Sequence, residues 1–339
     1  MRSVLIAAAI TLAATGVVWK GSAMLEGASE QLSGYYGLPP VIQGSIVAAI
    51  GTSFPELSIA VLSVLRYGSF ELGVGTVVGS AVFNVLVIPG AAVLLSEGEL
   101  NANRDVVYKE ALFYMLSVAA LLIVFSLGVI YYPHDSSRLA AEIPRWIALL
   151  PVALYGLYAF AQYADTVDYV ADPDSHRDVN ALKQWGLLAA SLVLVLIAVE
   201  GFVYGAGVFA TAFGISEALW GLTVIAAATS LPDTLVSVRA ARDGRGVTSL
   251  GNVFGSNVFD LLIAVPAGIV LAGSAVIDYA VAAPMMAFLV VATVVLFTVL
   301  RTDLHLTDDE GRLLLGVYAL FIGWMLLEAA DVVAFVPSL

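Results

Sequence analysis

Residues 37–64 read GLPPVIQGSIVAAIGTSFPELSIAVLSV, and residues 214–241 read GISEALWGLTVIAAATSLPDTLVSVRAA. Laid over one another they pair Gly37 with Gly214, Gly44 with Gly221, Thr52-Ser53 with Thr229-Ser230, Pro55 with Pro232, and Glu56 with Asp233, all at one offset (214 − 37 = 177). A second block follows in each copy. GTVVGSAVFN, residues 75–84, matches GNVFGSNVFD, residues 251–260, so Gly75, Gly79, Ser80 and Asn84 pair with Gly251, Gly255, Ser256 and Asp260. The chain is therefore an internal duplication, and the duplicated part is where its polar residues interrupt apolar sequence.

That apolar sequence sets the class. Of 339 residues, 60% are hydrophobic and 12% charged, with mean hydropathy +0.96; a soluble domain carries about 25% charged residues. A helix needs about 20 mainly apolar residues to cross a bilayer. Ten runs meet that length: 3–25, 40–66, 71–96, 106–131, 144–163, 183–210, 216–240, 247–272, 278–300 and 312–335. The predicted fold is an all-α integral membrane protein of ten transmembrane helices in two five-helix repeats, 1–163 and 183–339, with motif blocks at 37–96 and 214–272. The first run resembles a signal segment, but its counterpart at 183–210 argues that it is retained as a span.

Five is an odd number, so the second repeat must cross the membrane upside down relative to the first. Charge placement agrees. With the N-terminus outside, the inner face receives Lys20, Arg104, Lys109, Arg177, Lys183, Arg239, Arg242, Arg245, Arg301 and Arg312, and the outer face only Arg2, Arg66, Arg138 and Arg145. Positive residues concentrate on the cytoplasmic side. A multi-pass cell-membrane protein with both termini extracellular and a cytoplasmic linker at 164–182 is expected. Inverted repeats with interrupted helices are a transporter architecture with its site near the midplane.

Composition removes other classes. There are no cysteines, so thiol chemistry and thiolate metal sites are absent. His134, His176 and His305 all lie in polar stretches, which speaks against a transition-metal centre. Net charge is −13, and nothing resembles a basic nucleic-acid surface. The acidic segments 165–178 and 303–310 lack the ligand alternation of a calcium-sensing loop and read as solvated surface. No cofactor and no obligatory protein partner are indicated; the partners are the lipid bilayer and inorganic cations.

In the middle of the second and seventh spans, Pro55 and Pro232 kink or break the helix, because proline lacks an N–H and clashes with the preceding turn. Broken backbone at that depth survives only inside protein or beside a wet cavity. It frees carbonyl oxygens beside the hydroxyls of Thr52, Ser53, Thr229 and Ser230 and the carboxylates of Glu56 and Asp233. A carboxylate at the midplane costs roughly 2.5–3.5 kcal/mol on insertion scales, and no lysine or arginine in either motif compensates. Cations from solution do so most simply. Oxygen ligands suit Ca²⁺, which takes about 6–8 of them, and also Na⁺. Asn84 and Asp260, with Ser80 and Ser256 four residues earlier on the same helical face, extend the set from the third and eighth spans. The Gly75/Gly79 and Gly251/Gly255 pairs read as close helix packing. Lys20 reads as an interfacial anchor, and Glu200 has no assigned role.

These motifs resemble the two α-repeats of the calcium/cation antiporter superfamily, in particular its sodium/calcium exchanger branch. The resemblance implies secondary active antiport of Na⁺ against Ca²⁺ by alternating access, without enzymatic activity. It implies calcium ligation by Glu56, Asp233, Thr52 and Thr229. It implies sodium or second-cation sites at Ala49, Ser53, Ser80, Ala226, Ser230 and Ser256, the alanines through their carbonyls, with Asn84 and Asp260 in the middle position. It further implies that the first and sixth helices slide over a core formed by the rest. The combination Glu56, Asn84, Asp233, Asp260 also resembles the potassium-dependent exchangers, so K⁺ is a third candidate ion. An H⁺/Ca²⁺ exchanger of the same fold is a further alternative, ranked below these because that branch usually shows a Gly-Asn-containing motif where this chain has Thr-Ser. Two readings of another class stand beside these: a cation channel with an acidic ring, and an intramembrane hydrolase using Ser53 or Ser230, for which neither motif supplies an activating base.

Overall fold

The computed structural model describes residues 2–38, 46–47, 49–68, 70–96, 100–164, 179–330, 332–333 and 335–336. Gly44, His176, Arg177 and most of the 164–182 linker lie outside the described residues.

The helices are α1 (Arg2–Tyr35), α2 (Ala49–Thr52), α3 (Phe54–Tyr67), α4 (Phe70–Leu95), α5 (Ala111–Tyr131, continuing a π-helical turn Asp105–Glu110), α6 (Arg145–Ala164), α7 (Ala181–Phe213), α8 (Glu217–Thr229), α9 (Leu231–Arg242), α10 (Gly246–Ala272), α11 (Tyr279–Asp303) and α12 (Asp308–Ala329). Among the described residues, eight of them are long and apolar enough to cross a membrane; a ninth crossing results if α8 and α9, which meet at a 42° bend, form one span. The span expected at 40–66 is represented by α2 and α3, and part of it lies outside the described residues.

Two departures from the expected all-helical chain stand out. Strands β1 (Leu100–Asn101) and β4 (His305–Leu306) pair antiparallel, as do β2 (Ala140–Pro144) and β3 (Ser274–Asp278). They lie in connecting segments too short and too irregular to carry a period-two signal. The first helix also runs to Tyr35, ten residues past its expected end at 25. Lys20 is thus exposed within α1 rather than at its terminus.

The two central helices are α4 and α10. In each, 83% of the most apolar eighteen residues are buried, against 22–44% for the other long helices. A spanning helix can turn apolar side chains to lipid, so high burial marks one that is surrounded by protein. The close approach of α4 to α8 has a specific cause. A Cβ on Gly75 would stand 2.6 Å from the Ala218 carbonyl oxygen, one on Gly79 would collide with the Leu222 carbonyl, and one on Gly221 would stand 2.8 Å from the Leu72 carbonyl. Backbones therefore touch where the two halves meet, as expected where small residues line a membrane helix interface. Gly251 differs: a Cβ there would meet nothing within 4 Å.

Outside this core, α1 packs along α7. Gly21 sits against Val195 and Ser191, and Gly201 against Ala14 and Ile10. Glu200 on α7, unassigned from sequence, forms an ion pair with Arg66 at the end of α3. Glu110 is 7% exposed and takes a hydrogen bond from Tyr158 Oη at 2.9 Å and another from Gln162.

Candidate functional site

Both expected helix breaks are present, and they match residue by residue. Pro55 and Pro232 lie in the first turns of α3 and α9, where the missing N–H is not needed. Just before them Ser53 (φ −88°, ψ 6°) and Ser230 (φ −79°, ψ −1°) interrupt the helical path. Ser53 N donates to Ala49 O at 2.9 Å and Ser230 N to Ala226 O at 3.0 Å. Thr52 Oγ1 donates to the same Ala49 carbonyl at 3.3 Å, and Thr229 Oγ1 to Ala226 O at 3.2 Å. The two carbonyls that the resemblance offers as ion ligands are thus each engaged by a backbone and a hydroxyl donor. A wider, π-helical turn precedes the break in both copies, at 46–47 and at Gly221–Ile225.

The breaks place the expected polar residues together in the centre of the fold. Glu56, Asp233, Thr52, Thr229, Ser53, Ser230, Ser80, Ser256, Asn84 and Asp260 are all 0% exposed. Their contacts cross between the halves. Ser80 Oγ donates to Glu56 Oε1 at 3.2 Å and lies 2.8 Å from Ser230 Oγ. Its counterpart Ser256 donates to Asp233 Oδ1 at 3.0 Å and lies 3.3 Å from Thr52 Oγ1. Asn84 Nδ2 reaches Asp233 Oδ2 at 3.3 Å. The Thr229 hydroxyl faces Glu56, and the Thr52 hydroxyl faces Asp233.

Several oxygens in this sealed centre have no hydrogen-bond partner among the described residues: Glu56 Oε2, Asn84 Oδ1, Ser53 Oγ and both carboxylate oxygens of Asp260. Buried polar atoms are normally satisfied, and an exception calls for an explanation such as an ion. No three histidine, aspartate or glutamate side chains converge as a ready metal cage among the described residues. Any cation held here would therefore rely on hydroxyl, amide and carbonyl oxygens as much as on carboxylates.

The second half supplies residues that were not anticipated. Asn252 Nδ2 donates to Asp233 Oδ1 at 3.3 Å and to Ser237 Oγ at 3.1 Å. Asn257 accepts from Asn84 Nδ2 at 3.0 Å and donates to the Ala81 carbonyl at 3.2 Å. Asp260 heads a second π-helical turn, Asp260–Ala264, whereas Asn84 stands in regular helix. The signal was in the aligned block itself, where Asn252 and Asn257 replace Thr76 and Ala81.

Known proteins resemble this chain in sequence and in fold. The family profile described as sodium/calcium exchanger protein matches residues 6–164 and 183–327. The inner membrane protein YrbG of Escherichia coli is 31% identical over 232 residues, covering 67% of this chain and 68% of that protein. The sodium/calcium exchanger MaX1 of Methanosarcina acetivorans is 26% identical over 273 residues, covering 72% and 77%. Among solved structures, the sodium-calcium exchanger NCX_Mj has a similar fold, with TM-score 0.63 and 23% identity over 94% of this chain and 99% of that one. The chain belongs to the sodium/calcium exchanger branch of the calcium/cation antiporter superfamily, a multi-pass membrane protein of a family that carries out cation antiport.

Proposed function

We propose that the protein exchanges Na⁺ for Ca²⁺ by alternating access, with Ca²⁺ held between Glu56 and Asp233 and the hydroxyls of Thr52 and Thr229. The carrying observation is the crossed contact set: each carboxylate is served by hydroxyls of both halves. A shift of one half against the other changes both sets together, so the ion and the conformation are coupled.

Sodium ions take the flanking positions built from Ser53, Ser80, Ala226, Ser230, Ser256 and Ala49, with Asn84 and Asp260 between them. For Ala49 and Ala226 to ligate, Thr52 and Thr229 must turn their hydroxyls away from those carbonyls. Ca²⁺ and Na⁺ compete for the same carboxylates, and an empty site would carry uncompensated charge through the closed state, which disfavours return without cargo.

The ten-span, inverted arrangement belongs to this reading, and the strand pairs support it. β1 and β2 lie before and after α5; β3 and β4 lie before and after α11. The pairing is β1 with β4 and β2 with β3. The connection before the fourth span of one half thus meets the connection after its counterpart in the other, as an upside-down second copy requires. On this reading both termini are extracellular and the linker is cytoplasmic.

The test is Ca²⁺ uptake by proteoliposomes loaded with Na⁺. Uptake that requires internal Na⁺ and fails in Glu56→Gln and Asp233→Asn supports the reading. Uptake without a counter-ion would identify a channel instead. The Asp260 carboxylate, which has no hydrogen-bond partner among the described residues, favours one further arm: added K⁺ that stimulates uptake, with loss of the stimulation in Asp260→Asn, would assign the potassium-dependent type.

A further inference from the structure

The face of α1 turned toward the broken helices is polar where its counterpart is not. Ser22, Glu26, Ser29 and Ser33 recur at intervals of four, three and four and so share one helical face. At the repeat offset of 177, α7 carries Val199, Val203, Ala206 and Ala210. Burial is similar in both helices, with Ser22 at 0%, Ser29 at 9% and Ser33 at 2%, and Val199, Val203 and Ala206 at 0%, 5% and 2%. Close helix packing alone is met by the apolar set on α7. It does not call for a glutamate, which costs several kcal/mol in a spanning helix.

Three further observations give the stripe a direction. Ser22 Oγ is buried without a partner among the described residues, whereas Ser58 and Ser117 turn back to their own helices' carbonyls at 2.7 Å. At Glu26 the α1 backbone passes the break, since a Cβ on Gly51 would stand 3.8 Å from Glu26 Cα and N. The charges facing Glu26 are Glu30 on its own helix and Asp233 and Arg239 on α9. The stripe thus runs from the C-terminal end of α1 to the level of the calcium carboxylates.

We propose that this face of α1 is the cation-access path to the site from the membrane side that holds the C-terminal end of α1, with the exposed Glu30 at its mouth and Glu26 one turn deeper, the last carboxylate an arriving Na⁺ or Ca²⁺ passes before Asp233. The opposite side has no such stripe on α7, so access is unequal on the two sides. This proposal rests on the exchange reading for the identity of the ions, though not for the existence of the path.

The chain lacks cysteine, so single cysteines can be placed in the full protein without background. Ser29→Cys and Ser33→Cys, reconstituted in proteoliposomes, should react with a membrane-impermeant cationic thiol reagent added to the α1 C-terminal side, and Ca²⁺ should slow the reaction. Ala206→Cys and Ala210→Cys should react on the order of tenfold more slowly from either side, as apolar packing excludes a charged reagent. Equal reactivity at the two sets, or none at Ser29 and Ser33, overturns the path. Glu26→Gln should raise half-saturating Ca²⁺ about threefold to tenfold when Ca²⁺ is applied from that side and leave the other side unchanged, as loss of a steering charge does. An equal change on both sides, or no change, overturns the role of Glu26. If labelling follows the stripe while uptake proves independent of Na⁺, the path stands and the ion assignment falls.

Discussion

At Asp233, three side-chain donors converge: Asn84 on one carboxylate oxygen, Asn252 and Ser256 on the other. At Glu56, in the matching position of the first repeat, Ser80 donates to one oxygen, and the other has no hydrogen-bond partner among the described residues. The longer side chain is thus the looser one. The shorter is fixed by two amides, Asn84 of the first repeat and Asn252 of the second, whose counterparts Asp260 and Thr76 carry no amide. The two matching helix breaks thus carry carboxylates that are held unequally, Asp233 by three side-chain donors and Glu56 by fewer.

Removing either charge is the coarsest challenge to that contrast. Glu56→Gln and Asp233→Asn should each reduce Ca²⁺ transport by on the order of a hundredfold or more, because a lost ligand costs at least as much as a lost outer partner; initial uptake rates measure this. Exchanging the two acids is more discriminating. Asp233→Glu should raise half-saturating Ca²⁺ about tenfold, because the extra methylene must displace packed donors. Glu56→Asp should cost about threefold on the same scale, since fewer side-chain donors hold that carboxylate. Equal effects would break the contrast.

A second pair of substitutions addresses packing. Gly79→Ala should cost about 1–3 kcal/mol of stability by driving α4 off the Leu222 carbonyl. Gly251→Ala, facing open space, should be neutral or gain up to about 1 kcal/mol from lower chain entropy. Thermal unfolding in detergent separates them. Asn252→Ala should leave maximal velocity nearly intact while raising half-saturating Ca²⁺ about threefold to tenfold, the effect of releasing one hydrogen bond to a charged group. The smallest effect is expected at the ion pair of Arg66 with Glu200, where Glu200→Gln should change stability by less than about 1 kcal/mol, as exposed pairs do.

The duplication, the two breaks and the ten central oxygen-bearing residues were legible in the sequence, because proline, hydroxyl and carboxyl side chains at apolar depth have few alternative explanations. The unequal support of the two acids was harder to see. Asn252 and Asn257 were visible as substitutions, but their partners, Asp233 and Ala81, are fixed by how α4, α9 and α10 pack. Glu110 gave no signal, since its partners Tyr158 and Gln162 come from α6. The strands escaped because two-residue and five-residue pairings between distant connections leave no local periodicity.

The crossed contacts also govern how the molecule can be made. Ser80 meets Ser230 across 150 residues, Asn84 meets Asp233 across 149, and Thr52 meets Ser256 across 204. Spanning helices form within their own segments as they enter the bilayer, but contacts of such separation form late. During synthesis the first half must therefore wait in the membrane with Glu56 lacking its cross-repeat neighbours, and the centre closes only after α10 has been inserted. Neither half is a smaller working version of the whole, and a break in the 164–182 linker should be survivable as long as both halves reach the same membrane.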